Sequence, residues 1–498
     1  MHRRFIVPSA IAASLLLAIP ASATEGTVGA PGIGDAYYPA SGNGGYDVSH
    51  YDLRLKYQPS TDLLEGTATI LATTTQDLSR FNLDFGLDVS EVRVNGKKAG
   101  HVKNGEQELE ITPAAPLAKG KAVSVVVRYA GKPSEVKING WTSWVRTPDG
   151  AVAAQEPESA AWWFPSNDHP LDKATYDISV SVPDGTQAIS NGTLQSQSSR
   201  LGWTRFNWRS ARPQATYLTT LAVGRFDITT DTTSDGLPVV NAYSEDLGAN
   251  AGAARASIER TTEVAEWLTE VFGPYPFEAL GGYSPNVTSG FALETQTRPF
   301  YSPKQFANGA NVSVVVHELA HQWYGDSVSL KGWKDIWINE GFARYSQWLW
   351  SEKEGEGTAQ ELADYAYSLH PADDPFWKVK PGDPGPDNQF DAAVYDRGAL
   401  ALQALRDKLG DETFFALLKG WPAEHAYGNA SVSDFVAYAE RVSGKPLAAF
   451  FDTWLFQPTR PEAPAAAAGT HALNTSGEQA RPASWKKIEA TNSVHEHR

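Results

Sequence analysis

Two histidines stand four residues apart in the stretch HELAHQWYGD (317–326), and a glutamate follows the first of them. Side chains four apart on a helix are neighbours, so His317 and His321 could bind one metal ion through bonds of about 2.0–2.1 Å. Glu318 is rotated about 100° around the helix axis from His317, so it can face the same cavity without binding the metal. The alternative is an amphipathic helix with two ordinary histidines, because short motifs also occur by chance.

A third candidate ligand follows in KDIWINEGFARYSQWLW (334–350), where Glu340 is separated from His321 by eighteen intervening residues. Gly341 beside it permits a close approach of helices. Two histidines and one carboxylate leave a fourth position for water, which is the arrangement of catalytic rather than structural zinc sites. Each histidine also needs a partner for its other ring nitrogen, and Asn339 is one candidate. The residues by themselves predict a metal-dependent hydrolase.

The elements that must position these residues follow from the periodicity of the apolar side chains. Between 45 and 231, apolar and polar residues alternate in stretches such as TYDISVSVP (175–183), and Asn95-Gly96 is typical of a hairpin turn. Farther along, the period becomes helical, as in the segment 249–273, which ends at Gly273-Pro274. The pattern predicts an antiparallel β-rich domain followed by a mainly helical domain that carries the metal motif.

Length and composition restrict the possible classes of protein. A chain of 498 residues exceeds a single hydrophobic core, so two or three domains are expected. Its 42 Lys and Arg against 58 Asp and Glu give a net charge of −16, which argues against nucleic acid as a partner. The chain has no cysteine, so a metal site must use histidine and carboxylate ligands.

The first 23 residues have the pattern of a secretory signal peptide. Two arginines precede an apolar stretch from Phe5 to Ile19, and Ala21-Ser22-Ala23 is a cleavage site of the A-x-A type. The alternative is a membrane anchor, but the apolar stretch is short for a membrane span. We therefore expect a secreted protein without a stable membrane anchor. Residues 24–44 are predicted to be an irregular lead-in, and the Pro- and Ala-rich residues 459–498 a disordered tail.

The motif His317-Glu318-x-x-His321, followed after eighteen intervening residues by Glu340, is similar to the zinc motif of the gluzincin peptidases. WINEGFARY (337–345) resembles the aminopeptidase N family in particular, and the resemblance covers most of residues 45–458. It implies one Zn²⁺ per chain, bound by His317, His321 and Glu340. The chain ends too soon for the large helical C-terminal domain that many members carry, so it resembles the short secreted bacterial type.

A peptidase that acts at a free N-terminus needs a carboxylate to bind the α-ammonium group. The stretch GFALETQT (290–297) resembles the family's Gly-x-Met-Glu-Asn strand and retains its glutamate, although the glycine, methionine and asparagine positions differ. The resemblance implies that Glu294 binds the ammonium and that Gly290 and Ala292 contact the substrate through their backbone. An ordinary surface glutamate is the alternative.

Two further segments complete the resemblance. QEPESAAWWFPSNDHP (155–170) matches the family's Glu-Pro segment, which implies that Glu156 reaches from the N-terminal domain into the cleft and contacts the ammonium. DAAVYDRGALALQAL (391–405) is similar to the family's Val-Tyr-Glu-Lys-Gly-Ala segment, which implies that Tyr395 donates a hydrogen bond to the oxyanion. The alternatives are a loop carboxylate and an ordinary tyrosine at a helix start.

The resemblance implies a multidomain fold: a saddle-like antiparallel β domain (45–231) packed on a thermolysin-like, mainly helical α/β catalytic domain (232–458). It implies a secreted aminopeptidase in which a zinc-activated water attacks the first peptide bond and Glu318 transfers the proton. We expect a monomer whose partners are peptides with a free N-terminus. The alternatives are a thermolysin-like zinc endopeptidase and a non-catalytic peptide-binding protein.

Overall fold

The computed structural model describes residues 26–287, 289–463 and 480–492. The predicted signal peptide, residues 1–23, lies outside these ranges. Among the described residues, no helix combines the length and the apolar character that crossing a bilayer requires. The chain forms a β-rich N-terminal domain and a mainly helical second domain, which confirms the predicted fold class.

The N-terminal domain consists of strands arranged in three sheets. These strands are β1 (Thr27–Val28), β2 (Tyr46–Gln58), β3 (Leu63–Thr74), β4 (Leu78–Asp84), β5 (Asp88–Val94), β6 (Lys97–Lys98), β7 (Gly100–Asn104), β8 (Glu108–Thr112), β9 (Ala122–Gly131), β10 (Trp144–Arg146), β11 (Ala151–Ala153), β12 (Lys173–Pro183), β13 (Gln187–Ser190), β14 (Thr193–Arg200), β15 (Trp203–Ala215) and β16 (Leu221–Gly224). The largest sheet has the order β14-β15-β12-β2-β3-β9-β5-β6, and two four-stranded sheets have the orders β1-β4-β8-β7 and β10-β11-β16-β13.

Alternating burial explains why these segments form strands. Successive side chains of β2 and β3 are alternately buried and exposed along most of their length, so one face of the large sheet packs on the interior. Asn95 and Gly96, between β5 and β6, have φ angles of 49° and 76°, as a tight hairpin turn requires. Most pairs are antiparallel as predicted, but β2 and β12 run parallel, which the long chain between them permits.

The helical domain contains the remaining strands and nearly all the helices. Its strands are β17 (Phe226–Thr232), β18 (Pro238–Ser244), β19 (Leu280–Ser284), β20 (Ala292–Leu293), β21 (Phe300–Tyr301), β22 (Ser329–Leu330) and β23 (Asn429–Ala430). Its helices are α1 (Ala251–Ile258), α2 (Thr261–Phe272), α3 (Val312–Ala320), α4 (Trp337–Glu354), α5 (Ala359–Leu369), α6 (Ala392–Leu409), α7 (Asp411–His425), α8 (Val432–Ser443), α9 (Ala448–Phe451) and α10 (Trp485–Asn492). The sheet has the order β17-β18-β19-β21-β20, while β22 and β23 form a separate pair.

Two features of the helical domain differ in detail from the sequence pattern. The helical segment 249–273 divides into α1 and α2, and it ends as predicted at Gly273, whose φ is 91°. The sheet of this domain begins at Phe226, so the predicted boundary at 231/232 falls inside β17. Strands of both domains show the same alternation of apolar and polar residues, so this pattern alone does not indicate to which domain β17 belongs.

The prediction of a disordered tail over 459–498 is wrong for one segment. Residues Trp485–Asn492 form α10, and its Trp485 and Ile488 are buried in the core of the helical domain. The helix contributes only these two large apolar residues, three positions apart. So short a pattern is hidden among the Pro- and Ala-rich residues that precede it.

Polar contacts join the two domains close to the end of α3. Lys173, at the start of β12, donates from Nζ to the backbone carbonyls of Asp326 at 2.8 Å and Ser327 at 3.0 Å. In the lead-in, Asp35 accepts hydrogen bonds from the backbone N–H of Trp333 at 2.8 Å and from His169 Nε2 at 3.1 Å. The N-terminal domain therefore holds the loop that follows the histidine helix.

Candidate active site

Helix α3 carries both histidines of the motif. Asn311 caps it by accepting a hydrogen bond from the backbone N–H of Ser313 at 3.1 Å. The helix then runs through buried apolar residues and ends at Ala320. His321 is its C-cap residue and has helical φ and ψ angles of −59° and −25°. The side chains of His317 and His321 therefore lie one turn apart, with ring centroids 4.9 Å from each other.

Helix α4 presents Glu340 to the two histidines. Its Oε2 atom lies 3.2 Å from Nε2 of His317 and 3.5 Å from Nε2 of His321. Ligands bound tetrahedrally to zinc at 2.0–2.1 Å lie about 3.3 Å from one another. Both distances to Glu340 are close to this value, and the ligand atoms of all three side chains lie within 4.8 Å of one another, so we conclude that they fit a single zinc ion.

A close contact between α4 and α6 brings further residues to the site. A Cβ atom on Gly341 would lie 2.5 Å from Nε1 of Trp337, and one on Gly398 would lie 2.6 Å from its Cδ1. Trp337 donates from Nε1 to the carbonyl of Gly398 at 3.3 Å. A Cβ atom on Gly398 would also lie 3.2 Å from the Cα of Gly341, which confirms the prediction that Gly341 permits a close helix approach. The contact lies one turn from Tyr395 on α6.

Both histidines have hydrogen-bond partners on their second ring nitrogens. His317 donates from Nδ1 to Oε1 of Gln347 at 3.3 Å, and His321 donates from Nδ1 to the carbonyl of Tyr324 at 3.1 Å. These bonds leave the Nε2 atoms, which face Glu340, as the atoms available to bind a metal ion. Asn339, the candidate from the sequence, makes neither bond.

Arg344 and Gln347 are functional candidates that the sequence analysis missed. They follow Glu340 by four and seven residues and so lie on the same face of α4, a spacing that could have revealed them. Arg344 donates from Nη1 to Oε1 of Gln347 at 2.6 Å, and its Nε lies 3.0 Å from the Asp396 carboxylate on α6. Its guanidinium also lies 5.6 Å from the ring centre of Tyr395. Arg344 therefore links α4 to α6 behind the site.

Burial and neighbouring charges set the protonation of the three ligand candidates. Burial lowers the pKa of His317 to about 4. Burial also disfavours charge on His321, but the carboxylates of Glu340 and Glu294 raise its pKa well above 6.5. Burial favours the protonated form of Glu340, yet the two histidines lower its pKa far below the usual value. A neutral His317 and an ionised Glu340 are the forms that bind a metal cation.

Glu318 and Glu294 form a second carboxylate group beside the metal ligands. They are only 5% and 2% exposed, and burial raises the pKa of both above the usual value. Ligand atoms of Glu294, Glu318 and His321 all lie within 4.8 Å of one another. Tyr217 donates from its hydroxyl to Oε1 of Glu294 at 3.0 Å, and Gln322 donates to the Glu294 backbone carbonyl at 3.0 Å. The bond from Gln322 holds the Glu294 backbone near the end of α3, and the bond from Tyr217 ties the Glu294 side chain to the N-terminal domain.

Tyr395 lies in the first turn of α6, next to the histidines. Its ring is stacked on that of His317, with centroids 6.0 Å apart and planes 25° from parallel. Burial raises the pKa of Tyr395 well above 10, and the carboxylates of Glu340, Glu156 and Glu294 raise it further. Its hydroxyl therefore keeps its proton at neutral pH and can act as a hydrogen-bond donor.

The structure brings Glu156 to the same region from the N-terminal domain. Its side chain is buried, and its charge acts together with that of Glu294 on both Tyr395 and Tyr217. Two carboxylates from two domains therefore influence the same pair of tyrosines.

The two predicted backbone contacts occupy different positions. Ala292 lies in β20, two residues before Glu294, and this strand pairs antiparallel with β21. Gly290 lies before the strand, where its carbonyl accepts a hydrogen bond from Nε2 of Gln305 at 2.9 Å. The structure thus places Ala292 in the same strand region as Glu294, while the carbonyl of Gly290 is engaged within the domain.

Both domains match one family of known proteins. Residues 48–218 match the Peptidase M1 N-terminal domain, and residues 298–454 match the Peptidase family M1 domain. The crystal structure of an M1 zinc metallopeptidase from Deinococcus radiodurans is similar, with a TM-score of 0.78 and 30% identity, over 87% of this chain and 99% of that one. The chain belongs to peptidase family M1. This result confirms the family resemblance predicted from the motifs.

Curated M1 relatives are considerably longer than this chain. Aminopeptidase M1 of Arabidopsis thaliana is 30% identical over 330 residues, which are 62% of this chain and 37% of that protein. Glutamyl aminopeptidase of Bos taurus is 27% identical over 450 residues, which are 82% of this chain and 46% of that protein. This M1 chain therefore spans less than half the length of these two relatives.

Proposed function

We propose that this M1 chain is a zinc-dependent aminopeptidase, which hydrolyses the first peptide bond of peptides with a free N-terminus. The observation that supports this most strongly is the position of Glu294, whose carboxylate shares a 4.8 Å cluster with Glu318 and His321. An α-ammonium group bound by Glu294 would bring the first peptide bond, rather than an internal one, to Glu318 and the metal ligands.

His317, His321 and Glu340 would hold the metal, one zinc ion per chain. When bound, zinc supplies Lewis acidity to a carbonyl group and to water. The hydrogen bonds from His317 and His321 to Gln347 and Tyr324 orient the two rings before the metal arrives.

Glu318 has the properties of a proton carrier. It is adjacent to a metal ligand in the sequence, it is buried, and burial raises its pKa well above 4.5. A carboxylate whose pKa is raised is a stronger base, which suits it to take a proton from water and pass it to the leaving amine, a role typically worth about 10²–10⁴-fold in rate. Tyr395 would donate a hydrogen bond to the oxyanion, a contribution of about 2.7–4 kcal/mol in other enzymes.

Glu294 and Glu156 would bind the substrate ammonium. Both carboxylates are buried, and an entering cation would relieve the cost of burying their negative charges. A peptide whose N-terminus is blocked lacks this cation. The related M1 metallopeptidase of Deinococcus radiodurans has a structure with a Tyr-Ser-Ala substrate, which supports a peptide as the substrate class here.

The test uses matched substrates on one zinc-loaded preparation. We expect hydrolysis of aminoacyl-arylamides and of a free tripeptide, loss of activity with a chelator, and recovery when zinc is returned. The same tripeptide with an acetylated N-terminus should resist hydrolysis. Efficient cleavage of the acetylated peptide would indicate an endopeptidase instead, and the absence of hydrolysis of every substrate would indicate a peptide-binding protein.

We further propose that the chain is exported and acts as a secreted monomer. The pattern of residues 1–23 supports export. Expression with these residues in a bacterial host should release a chain that begins at Thr24, which mass spectrometry of the medium would detect. Retention of the uncleaved chain in the cells would contradict export, and a dimeric mass by light scattering would contradict the monomer.

A further inference from the structure

Helix α10 packs against the back of the metal site although it lies far along the chain. Its Trp485, Ile488 and Thr491 are 4%, 1% and 7% exposed. Trp485 packs edge-on against the ring of Tyr365, with centroids 5.0 Å apart, and the carbonyl of Lys487 accepts a hydrogen bond from Asn311 at 3.1 Å. Asn311 caps α3, so α10 is attached directly to the histidine helix.

The hydroxyl of Thr491 connects α10 to the inner face of α4. It accepts hydrogen bonds from Nη1 of Arg344 at 2.9 Å and from Nε2 of Gln347 at 3.3 Å. It donates its own proton to the carbonyl of Ile488, which also accepts from Nη1 of Arg344 at 3.2 Å. Thr491 is thus a buried acceptor for two side chains of α4.

The contact with Thr491 helps to fix which way the Gln347 amide points. Its Nε2 donates to Thr491 and also to the carbonyl and hydroxyl of Ser313, at 3.0 and 2.9 Å. Its Oε1 accepts from Arg344 and from Nδ1 of His317. With the amide nitrogen occupied on the far side, the amide oxygen is turned toward the histidine ring.

We propose that α10 is a positioning element of the metal site. Thr491 holds Arg344 and Gln347, and Gln347 in turn orients His317, so that the C-terminal segment controls how firmly zinc is retained. The inference rests on the proposed zinc site and not on the reaction. Partners that orient metal ligands typically change metal affinity by about 10- to 100-fold when they are removed.

The test measures the rate at which zinc leaves the full-length protein into a chromogenic chelator. Thr491→Val keeps the side-chain shape but removes the acceptor, so zinc release should accelerate by about tenfold, the low end of that range. Thr491→Ser keeps the hydroxyl and should restore the wild-type rate. Glu489→Gln changes the exposed side of α10, where Glu489 pairs with Arg481, and is the matched control with a wild-type rate.

Thermal unfolding of the metal-free forms separates positioning from general stability. If α10 positions the site, zinc release from Thr491→Val should be faster, and its metal-free form should unfold at a moderately lower temperature because the buried donors of Arg344 and Gln347 lose an acceptor. A lower unfolding temperature with an unchanged rate of zinc release would overturn the proposal. Ile488→Val, which loosens the buried face of α10, is a second variant, for which we expect a smaller acceleration of zinc release. An unchanged rate of zinc release in both variants would also overturn the proposal.

The zinc measurement is independent of peptide hydrolysis. Faster zinc release in Thr491→Val without any hydrolysis by the wild type would contradict the proposed aminopeptidase and support the role of α10. A wild-type chain that binds no zinc would overturn both.

Discussion

Glu318 and Glu294 are buried in the same small volume, yet their neighbours suit them to different tasks. Glu318 belongs to α3 and directly follows His317, a candidate metal ligand, whereas Glu294 follows β20 and receives a hydrogen bond from Tyr217. The first position suits proton transfer at the metal, and the second suits a fixed charge for an ammonium group. Substitutions of equal size at the two residues should therefore have different consequences.

Glu318→Gln should keep zinc but lose turnover, because the amide preserves the shape and cannot accept the proton from water. We expect kcat to fall by at least about 10²–10⁴-fold. Zinc content by mass spectrometry and kcat on an aminoacyl-arylamide check this, with exposed Glu270→Gln as the control. A kcat within twofold of the wild type would remove the assigned role from Glu318.

Glu294→Gln should weaken kcat/KM for free peptides by about 2–5 kcal/mol, because a buried charge partner of the ammonium is lost. Tyr217→Phe removes only the hydrogen bond to Glu294 and should cost about 0.5–1.5 kcal/mol. Steady-state kinetics on a free tripeptide measure both. Equal losses in the two variants, or none in Glu294→Gln, would contradict ammonium binding by Glu294.

At the scale of elements, the contact between α4 and α6 decides whether the metal ligands and Tyr395 meet. The two helices approach closely because Gly341 and Gly398 leave room for the indole of Trp337. Arg344 adds a polar link between the same helices through Asp396. A larger side chain at Gly341 or Gly398 should push the two helices apart and displace Tyr395 from Glu340 and the two histidines.

Gly398→Ala introduces a methyl group only 2.6 Å from Trp337 and should force the helices apart. Overpacking of this kind typically costs about 1–3 kcal/mol in free energy of unfolding, and we also expect a lower kcat because Tyr395 moves. Gly252→Ala in α1 is the matched control, since its added Cβ meets no atom within 4 Å. Urea unfolding and kcat provide the measurements, and wild-type values for Gly398→Ala would contradict the role of the contact.

At the scale of the whole molecule, the N-terminal domain supports the site through the loop that follows α3. Lys173 is the main polar contact to the carbonyls of this loop, and Tyr324 in the same loop accepts the hydrogen bond from His321. Burial lowers the pKa of Lys173 to about 7, although Asp326 acts in the opposite direction. The junction between the domains therefore contains a group whose charge depends on folding.

Lys173→Met should change the pH dependence of stability in a defined direction. The folded protein loses the Lys173 proton near pH 7 and the unfolded chain near 10.5, so between these values the unfolded state binds more protons. The lysine's contribution to stability is therefore fully present above pH 10.5, decreases as the pH falls from 10.5 toward 7, and is lost below 7. The Tm of the wild type should rise relative to that of Lys173→Met between pH 6.5 and 9.5.

Exposed Lys119→Met is the control for this experiment, because an exposed lysine should leave the pH dependence of Tm unchanged. Differential scanning fluorimetry across the pH range gives both comparisons. A constant Tm difference between the wild type and Lys173→Met would contradict the shifted pKa.

Sequence spacing was sufficient for the contacts that lie within one helix. A helix turns by the same angle at every residue, so the separation of His317 and His321, and the position of Glu318 between them, follow from the chain itself. The sequence that follows also offered Glu340 as a third ligand, and the resemblance to known peptidases then added Glu294, Glu156 and Tyr395, which lie on other elements. The alternation of apolar residues also predicted the order of a β domain and a helical domain, since burial on one face imposes that period.

Only the tertiary structure decided which residues support these side chains from a distance. Gln347 orients His317, Lys173 holds the loop after α3, and Thr491 reaches the same α4 face from 144 residues beyond Gln347. Such contacts depend on how helices and domains pack, and any polar residue of suitable length could fill them. Local periodicity carries no information about that choice, because a partner is selected by its position in space rather than by its distance along the chain.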